Sequence, residues 1–181
     1  MKIAVVGGES TGRTSVAEAV AKKLGLPLVG NPRERVLAAS GYHTLWEWQA
    51  ATGGMVGLVE AQAAREREAA RAVVDAGVLD QWCFVERWVW NRLSPEAAEA
   101  LHYTVVQAAG EYARVLVTAP RLVGGSAPGR FRNRLHVAQS QRLLDGILRE
   151  AVPADRVCFL PDGDLPQVVA AALAALPPGS P

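Results

Sequence analysis

The chain has 181 residues, half of them apolar and 20% charged, which suits a single folded domain and excludes an intrinsically disordered chain. Its 19 basic and 18 acidic side chains nearly cancel, to +1, which argues against broad attachment to nucleic acid or to an anionic membrane. Cys83 and Cys158 have no close Cys or His neighbours, so no zinc cluster or disulfide framework is expected; with no bilayer-spanning apolar run, the expected location is the cytoplasm.

Lys2 to Val6 is a short apolar run stopped by Gly7-Gly8, as a buried strand would be. From Thr14 to Leu24 the apolar spacing is helical, and Gly25 is its expected C-cap. Leu26 to Val29 reads as a second strand. Pro32 to Ala39 reads as a short helix with proline in its first turn. After the Gly53-Gly54 break, a long helix is expected from Met55 to Ala76, then a third strand at Gly77-Val78-Leu79-Asp80. Ser94-Pro95-Glu96 is a helix start. Arg114 to Thr118 reads as a central strand, and Gly124 to Arg132 as a Gly/Ser/Pro/Arg loop. A helix is expected from Asn133 to Ala151, with Leu135, Leu143, Leu144, Ile147 and Leu148 on its apolar side. Arg156 to Leu160 and Leu165 to Leu176 read as the last strand and helix, and 177–181 as a frayed tail. Strands interleaved with helices predict an α/β fold: one domain over 1–176, a five-stranded parallel sheet between two helical layers.

Gly7-Gly8-Glu9-Ser10-Thr11-Gly12-Arg13-Thr14 matches G-x-x-x-x-G-K-[ST] except that arginine replaces the lysine. Such a loop between strand and helix turns backbone N–H groups around a phosphate, and the helix N-terminus adds positive field. The residues expected to hold nucleotide are Gly8, Glu9, Ser10, Thr11, Gly12, Arg13, Thr14 and Ser15. Thr14 would place its hydroxyl on Mg²⁺, and Arg13 would reach the β/γ-phosphates.

Asp80, at the end of the expected third strand, has three readings: a Mg²⁺ ligand, a proton acceptor for an attacking hydroxyl, or a helix N-cap. The Arg121 to Arg134 loop carries four arginines and no acid, as a lid over transferring phosphate would, with Arg130 and Arg132 the preferred candidates. Glu34 reads either as a contact to a substrate hydroxyl or as a surface ion pair. Gln62 reads as a crevice residue or as a boundary polar residue. Trp82 is a candidate to stack on a planar ring, whereas Trp88 and Trp90 are expected in the core. His43, His102 and His136 form no ligand spacing.

The loop resembles that of the ribosylnicotinamide kinase domain of bacterial NAD-biosynthesis regulators and of related P-loop ATPases. The likeness extends to Pro32-Arg33-Glu34, Ala61-Gln62, Leu79-Asp80 and the arginine loop before a long helix. It implies a P-loop NTPase fold with an Arg-bearing lid, and ATP-dependent phosphorylation of a nucleoside with Mg²⁺. Catalytic roles would fall to Arg13, Asp80, Arg130 and Arg132, metal binding to Thr14 and Asp80, and substrate contacts to Glu34, Gln62 and Trp82. The implied partners are ATP and a small-molecule hydroxyl acceptor, nicotinamide riboside among those that fit, with no nucleic acid and no membrane; a homodimer stays open. The alternative is a nucleotide-binding regulatory module with little turnover, which the Arg13 departure favours.

Overall fold

A computed structural model describes residues 1–8, 11–52, 54–120 and 134–177 of the chain. At its centre lies strand β1 (Lys2–Val6), buried along its whole length. The other strands are β2 (Leu28–Val29), β3 (Ala72–Asp75), β4 (Tyr112–Val117) and β5 (Val157–Phe159). They form one sheet in the order β2-β3-β1-β4-β5, every pairing parallel. The helices are α1 (Arg13–Leu24), α2 (Pro32–Ser40), α3 (Leu45–Thr52), α4 (Met55–Glu68), α5 (Val78–Trp88), α6 (Pro95–Gly110), α7 (Arg134–Ala151) and α8 (Leu165–Ala174).

Strand alternation divides the core in two. Ile3 and Val5 join Val73 and Leu116 against α1 and α8, through Val16, Val20, Val168 and Ala172. Ala4 and Val6 join Val74, Val115 and Val117 against α4, α5, α6 and α7, through Val59, Leu79, Val105 and Leu144. The three-layer arrangement read from the sequence is therefore present. With β1 flanked by β3 and β4, a crevice opens outside the carboxyl ends of the strands, where open α/β sheets bind ligands.

One expected strand is misplaced. Gly77 to Asp80 is not β3: Gly77 is the N-cap of α5, and Asp80 lies in that helix's first turn. The true β3, Ala72–Asp75, pairs with β1 from Lys2↔Ala72 to Val5↔Asp75, inside the span expected to continue α4. That helix stops at Glu68 because Ala69 is already extended, at φ −89° and ψ 103°. Leu135 also departs from expectation: it is 79% exposed, while Leu144, Ile147 and Leu148 carry the apolar face of α7. Smaller boundary shifts shorten β2, β5 and α8 and start β4 at Tyr112.

Candidate active site

The loop from β1 to α1 is pinned from beneath by two buried threonines. Thr118 continues β4, its N–H bonding Val6 O at 2.9 Å and its hydroxyl lying 3.2 Å from the same oxygen. Thr11 donates to Gly8 O at 2.8 Å and its Oγ1 lies 2.9 Å from Thr118 Oγ1. Gly7 fits between them because it has no Cβ: at its φ of 154°, a Cβ would stand 2.0 Å from Thr118 Oγ1. Gly12, at φ 82°, is the N-cap of α1 and supplies no side-chain cap. Among the described residues no side chain caps the first amides of α1, the condition for anion binding at a helix start. Gly7→Ala is expected to destabilise the fold by about 1–3 kcal/mol, read as a lower urea midpoint, and to weaken ATP binding with it.

Arg13 opens α1 and turns into a pair of acids. Its Nε donates to Asp75 Oδ1 at 2.9 Å, and its Nη1 to Asp80 Oδ1 at 2.7 Å and to Gly7 O at 2.8 Å. Asp75 is the last residue of β3, so it is the strand-end acid. Asp80 reaches the same place from the first turn of α5, where its Oδ1 also accepts the Gly7 N–H at 3.2 Å. Burial pushes the Asp80 carboxyl up to about 6 against the pull of Arg13, so it is mostly ionised at neutral pH. Burial alone would lower the Arg13 pKa, but Asp80 and Asp75 outweigh it and hold the guanidinium charged. Asp80 Oδ2 is buried and has no hydrogen-bond partner among the described residues.

The crevice beside this triad is lined by Gly7, Gly8, Arg13 and Asp80 at one end. Its other wall comes from the start of α2, from α5 and from α7. Asn31 caps α2 through Oδ1, accepting Arg33 N–H at 2.9 Å and Gln81 Nε2 at 3.2 Å. Arg33 lies over the Phe84 ring at 5.3 Å, and Arg87 over the Trp88 ring at 4.8 Å. Arg87 Nη1 also donates to His136 O and to Ser140 Oγ, tying α5 to α7.

A family model described as an AAA domain matches residues 2–167. The chain belongs to the AAA domain family. No curated protein sequence matches it. Among solved structures this AAA domain is similar to a NadR protein in complex with NR, with TM-score 0.69 and 16% identity over 96% of this chain and 51% of that one. It thus spans about half the length of that NadR protein. It is also similar to deoxyadenosine kinase from M. mycoides with bound dATP (TM-score 0.62, 12% identity, 96% of this chain and 98% of that one). A third likeness is to shikimate kinase from Acinetobacter baumannii in complex with shikimate (TM-score 0.55, 14% identity, 95% and 90%). The AAA domain therefore has the fold of the P-loop kinases.

Within the AAA domain, the expected loop residues divide. Gly8 and Arg13 line the crevice, Thr11 is buried beneath it, and Thr14 and Ser15 lie partly or fully exposed on the first turn of α1. Glu9, Ser10, Arg130 and Arg132, with the rest of the expected lid through Asn133, lie outside the described residues, as does the Glu34 side chain; Arg134 opens α7. Two substrate candidates are not where the sequence reading put them. Gln62 is fully buried in the core, its Nε2 donating to Glu66 Oε1 at 2.8 Å. Glu66 also accepts the Tyr112 hydroxyl at 2.6 Å and the Val78 N–H at 3.1 Å. Trp82 packs edge-to-face on Trp90, 5.5 Å between centroids, on the side of α5 away from the crevice. Trp88, expected in the core, lines the crevice instead, and Trp90 is 45% exposed. Asp75, Asn31, Gln81 and Arg87 belong to no motif of the sequence, and His136, which forms no ligand spacing, lines the crevice all the same. The Val-Val-Asp ending at Asp75 was the available signal for the first of them.

No helix among the described residues is long and apolar enough to cross a membrane.

Proposed function

We propose that this AAA domain, acting as a unit over residues 1–176, binds ATP at the β1–α1 loop and transfers its γ-phosphoryl to a nucleoside-type hydroxyl, nicotinamide riboside among the candidates. One observation carries the reading. A single crevice joins the loop glycines, Arg13 and Asp80 to a wall of amides and aromatic rings (Asn31, Gln81, Phe84 and Trp88). Phosphoryl transfer needs positioning and charge neutralisation, and such a crevice supplies both. The likeness of the fold to nucleoside and shikimate kinases supports it.

The backbone of Gly8 to Gly12 would surround the β-phosphate. Arg13 spends Nε and Nη1 on Asp75, Asp80 and Gly7, which leaves Nη2 for a phosphate oxygen. Asp80 would orient the acceptor hydroxyl and take its proton. Mg²⁺ fits this donor set in kind: the Thr14 hydroxyl is a hard oxygen that would hold it, and Asp80 Oδ2, partnerless among the described residues, would reach it through water while staying free to take the acceptor's proton. When bound, the ion would neutralise charge on the transferring phosphate. Arg130 and Arg132 are proposed to close on the same phosphate, and Glu34 to contact a substrate hydroxyl. A cytoplasmic location goes with such substrates.

A panel of hydroxyl acceptors with Mg·ATP, read by product mass, is expected to yield a phosphorylated nucleoside. ATP binding without product from any acceptor would favour the regulatory module, the reading to which the Arg13 triad lends weight. Calorimetric titration of ATP gives the second check. Arg13→Gln is expected to weaken ATP by about 1–3 kcal/mol through loss of a charge-assisted bond. Arg13→Lys is expected to retain binding and raise turnover. Equal affinity in all three proteins would make Arg13 a bystander to nucleotide.

A further inference from the structure

A second cavity, of about 360 Å³, opens among α5, α6 and α7 and shares no lining residue with the crevice. That volume lies within the range of small-molecule sites. Its aromatic wall is a corner. Trp82 and Trp90 stand at 79° to each other with centroids 5.5 Å apart, and the His102 ring lies 5.2 Å from Trp82 at 58°. Trp82 is 4% exposed and buttresses the corner, so the half-exposed Trp90 indole is the electron-rich surface that the cavity offers to a cation.

The charges around the corner have the complementary sign. Glu86 comes from α5, one turn beyond Trp82, Glu99 from α6 and Glu150 from α7. Against them stand Arg142 and His102, the latter 3.0 Å from Glu150 through Nε2. The three carboxylates outweigh these basic groups even when His102 is protonated. Gly146 completes the wall from α7, and a Cβ built there meets no atom within 4 Å. A glycine inside a helix costs stability relative to alanine, and here it leaves the cavity open.

We propose that this cavity is a binding site for a small organic monocation of the quaternary ammonium type. The Trp90 ring supplies the cation–π surface, and Glu86, Glu99 and Glu150 supply the field that selects a cation over a neutral molecule of the same shape. The site stands apart from the kinase reading and does not depend on it.

The probes are choline chloride and its uncharged carbon isostere, 3,3-dimethylbutan-1-ol, titrated into the full chain and followed by tryptophan fluorescence. Choline is expected to saturate, with the isostere at least about tenfold weaker. Gly146→Leu fills the cavity without touching a charge and has room for its Cβ, and Trp90→Ala removes an exposed ring; both are expected to abolish saturation while circular dichroism stays unchanged. Glu99→Gln, at an exposed position, is expected to weaken choline alone. Equal binding of the isostere, unchanged binding in Gly146→Leu, or no saturation by choline would overturn the proposal. So would a concentration-dependent dimer in sedimentation that covers Trp90 and excludes choline, since a second copy would then be the occupant.

Discussion

Asp80→Asn is expected to cut phosphoryl transfer by about two to four orders of magnitude while leaving ATP affinity within about threefold. The asparagine oxygen can still accept the Gly7 N–H and the Arg13 Nη1, so the loop and guanidinium stay in place. What is lost is the capacity to take a proton. Because burial raises the wild-type carboxyl to about 6, transfer should rise with pH through that value, and this limb should vanish in the variant. Stability carries the opposite sign. A carboxyl whose folded pKa exceeds the unfolded value stabilises the fold below about pH 4 and loses that contribution as pH rises through about 6. The gap in urea midpoint between wild type and Asp80→Asn should therefore move in the variant's favour between pH 4 and pH 7. Transfer near the wild-type rate in Asp80→Asn would reduce the residue to a brace for the loop.

Glu66→Leu should destabilise the protein by about 3–5 kcal/mol, because it strands the Gln62 amide, the Tyr112 hydroxyl and the Val78 N–H in the core without an acceptor. Glu66→Gln should cost far less. One amide oxygen can still serve Gln62 and Val78, and the Tyr112 hydroxyl can rotate to accept. Since burial raises the Glu66 pKa, the wild-type carboxyl loses stabilisation with rising pH, a dependence that Gln abolishes. Val78 is the first residue of α5, so the same carboxylate fixes the start of the helix that carries Asp80. A loss of turnover should accompany the loss of stability in Glu66→Leu. Urea unfolding with a constant m-value would check it, and a change under about 1 kcal/mol would count against the network.

The loop between β1 and α1 was legible because glycine, threonine and the break in apolar pattern all mark one place. The error at β3 has an equally local cause. Val73-Val74-Asp75 and Val78-Leu79-Asp80 are near-identical runs a few residues apart, and the alanines at Ala69, Ala70 and Ala72 make the first look like continuing helix. The helical spacing of Val78, Leu79, Trp82, Cys83 and Val85 was the signal that could have separated them. It also decides the tryptophans, since Trp82 and Trp88 leave α5 on different sides. Gln62 could not be placed from periodicity alone. A polar residue on an apolar face is buried or not according to a partner on its own helix, Glu66, and another on β4, Tyr112. The meeting of Arg13, Asp75 and Asp80 was equally out of reach, because three separate elements bring them together.

The central position of β1 sets the order in which a growing chain can fold. Ile3 pairs with Val73 on one side and Arg114 on the other, so the first of these five strands to be synthesised has no neighbour until β3 emerges and no second one until β4 follows. Closing such long segments costs chain entropy before any contact repays it, which makes folding slow for a domain of this size. Until then Ile3, Ala4, Val5 and Val6, all fully buried in the finished fold, remain an uncovered strand edge of the kind that chaperones bind and aggregates recruit. The phosphate loop, attached directly to that strand, is therefore encoded early and assembled late.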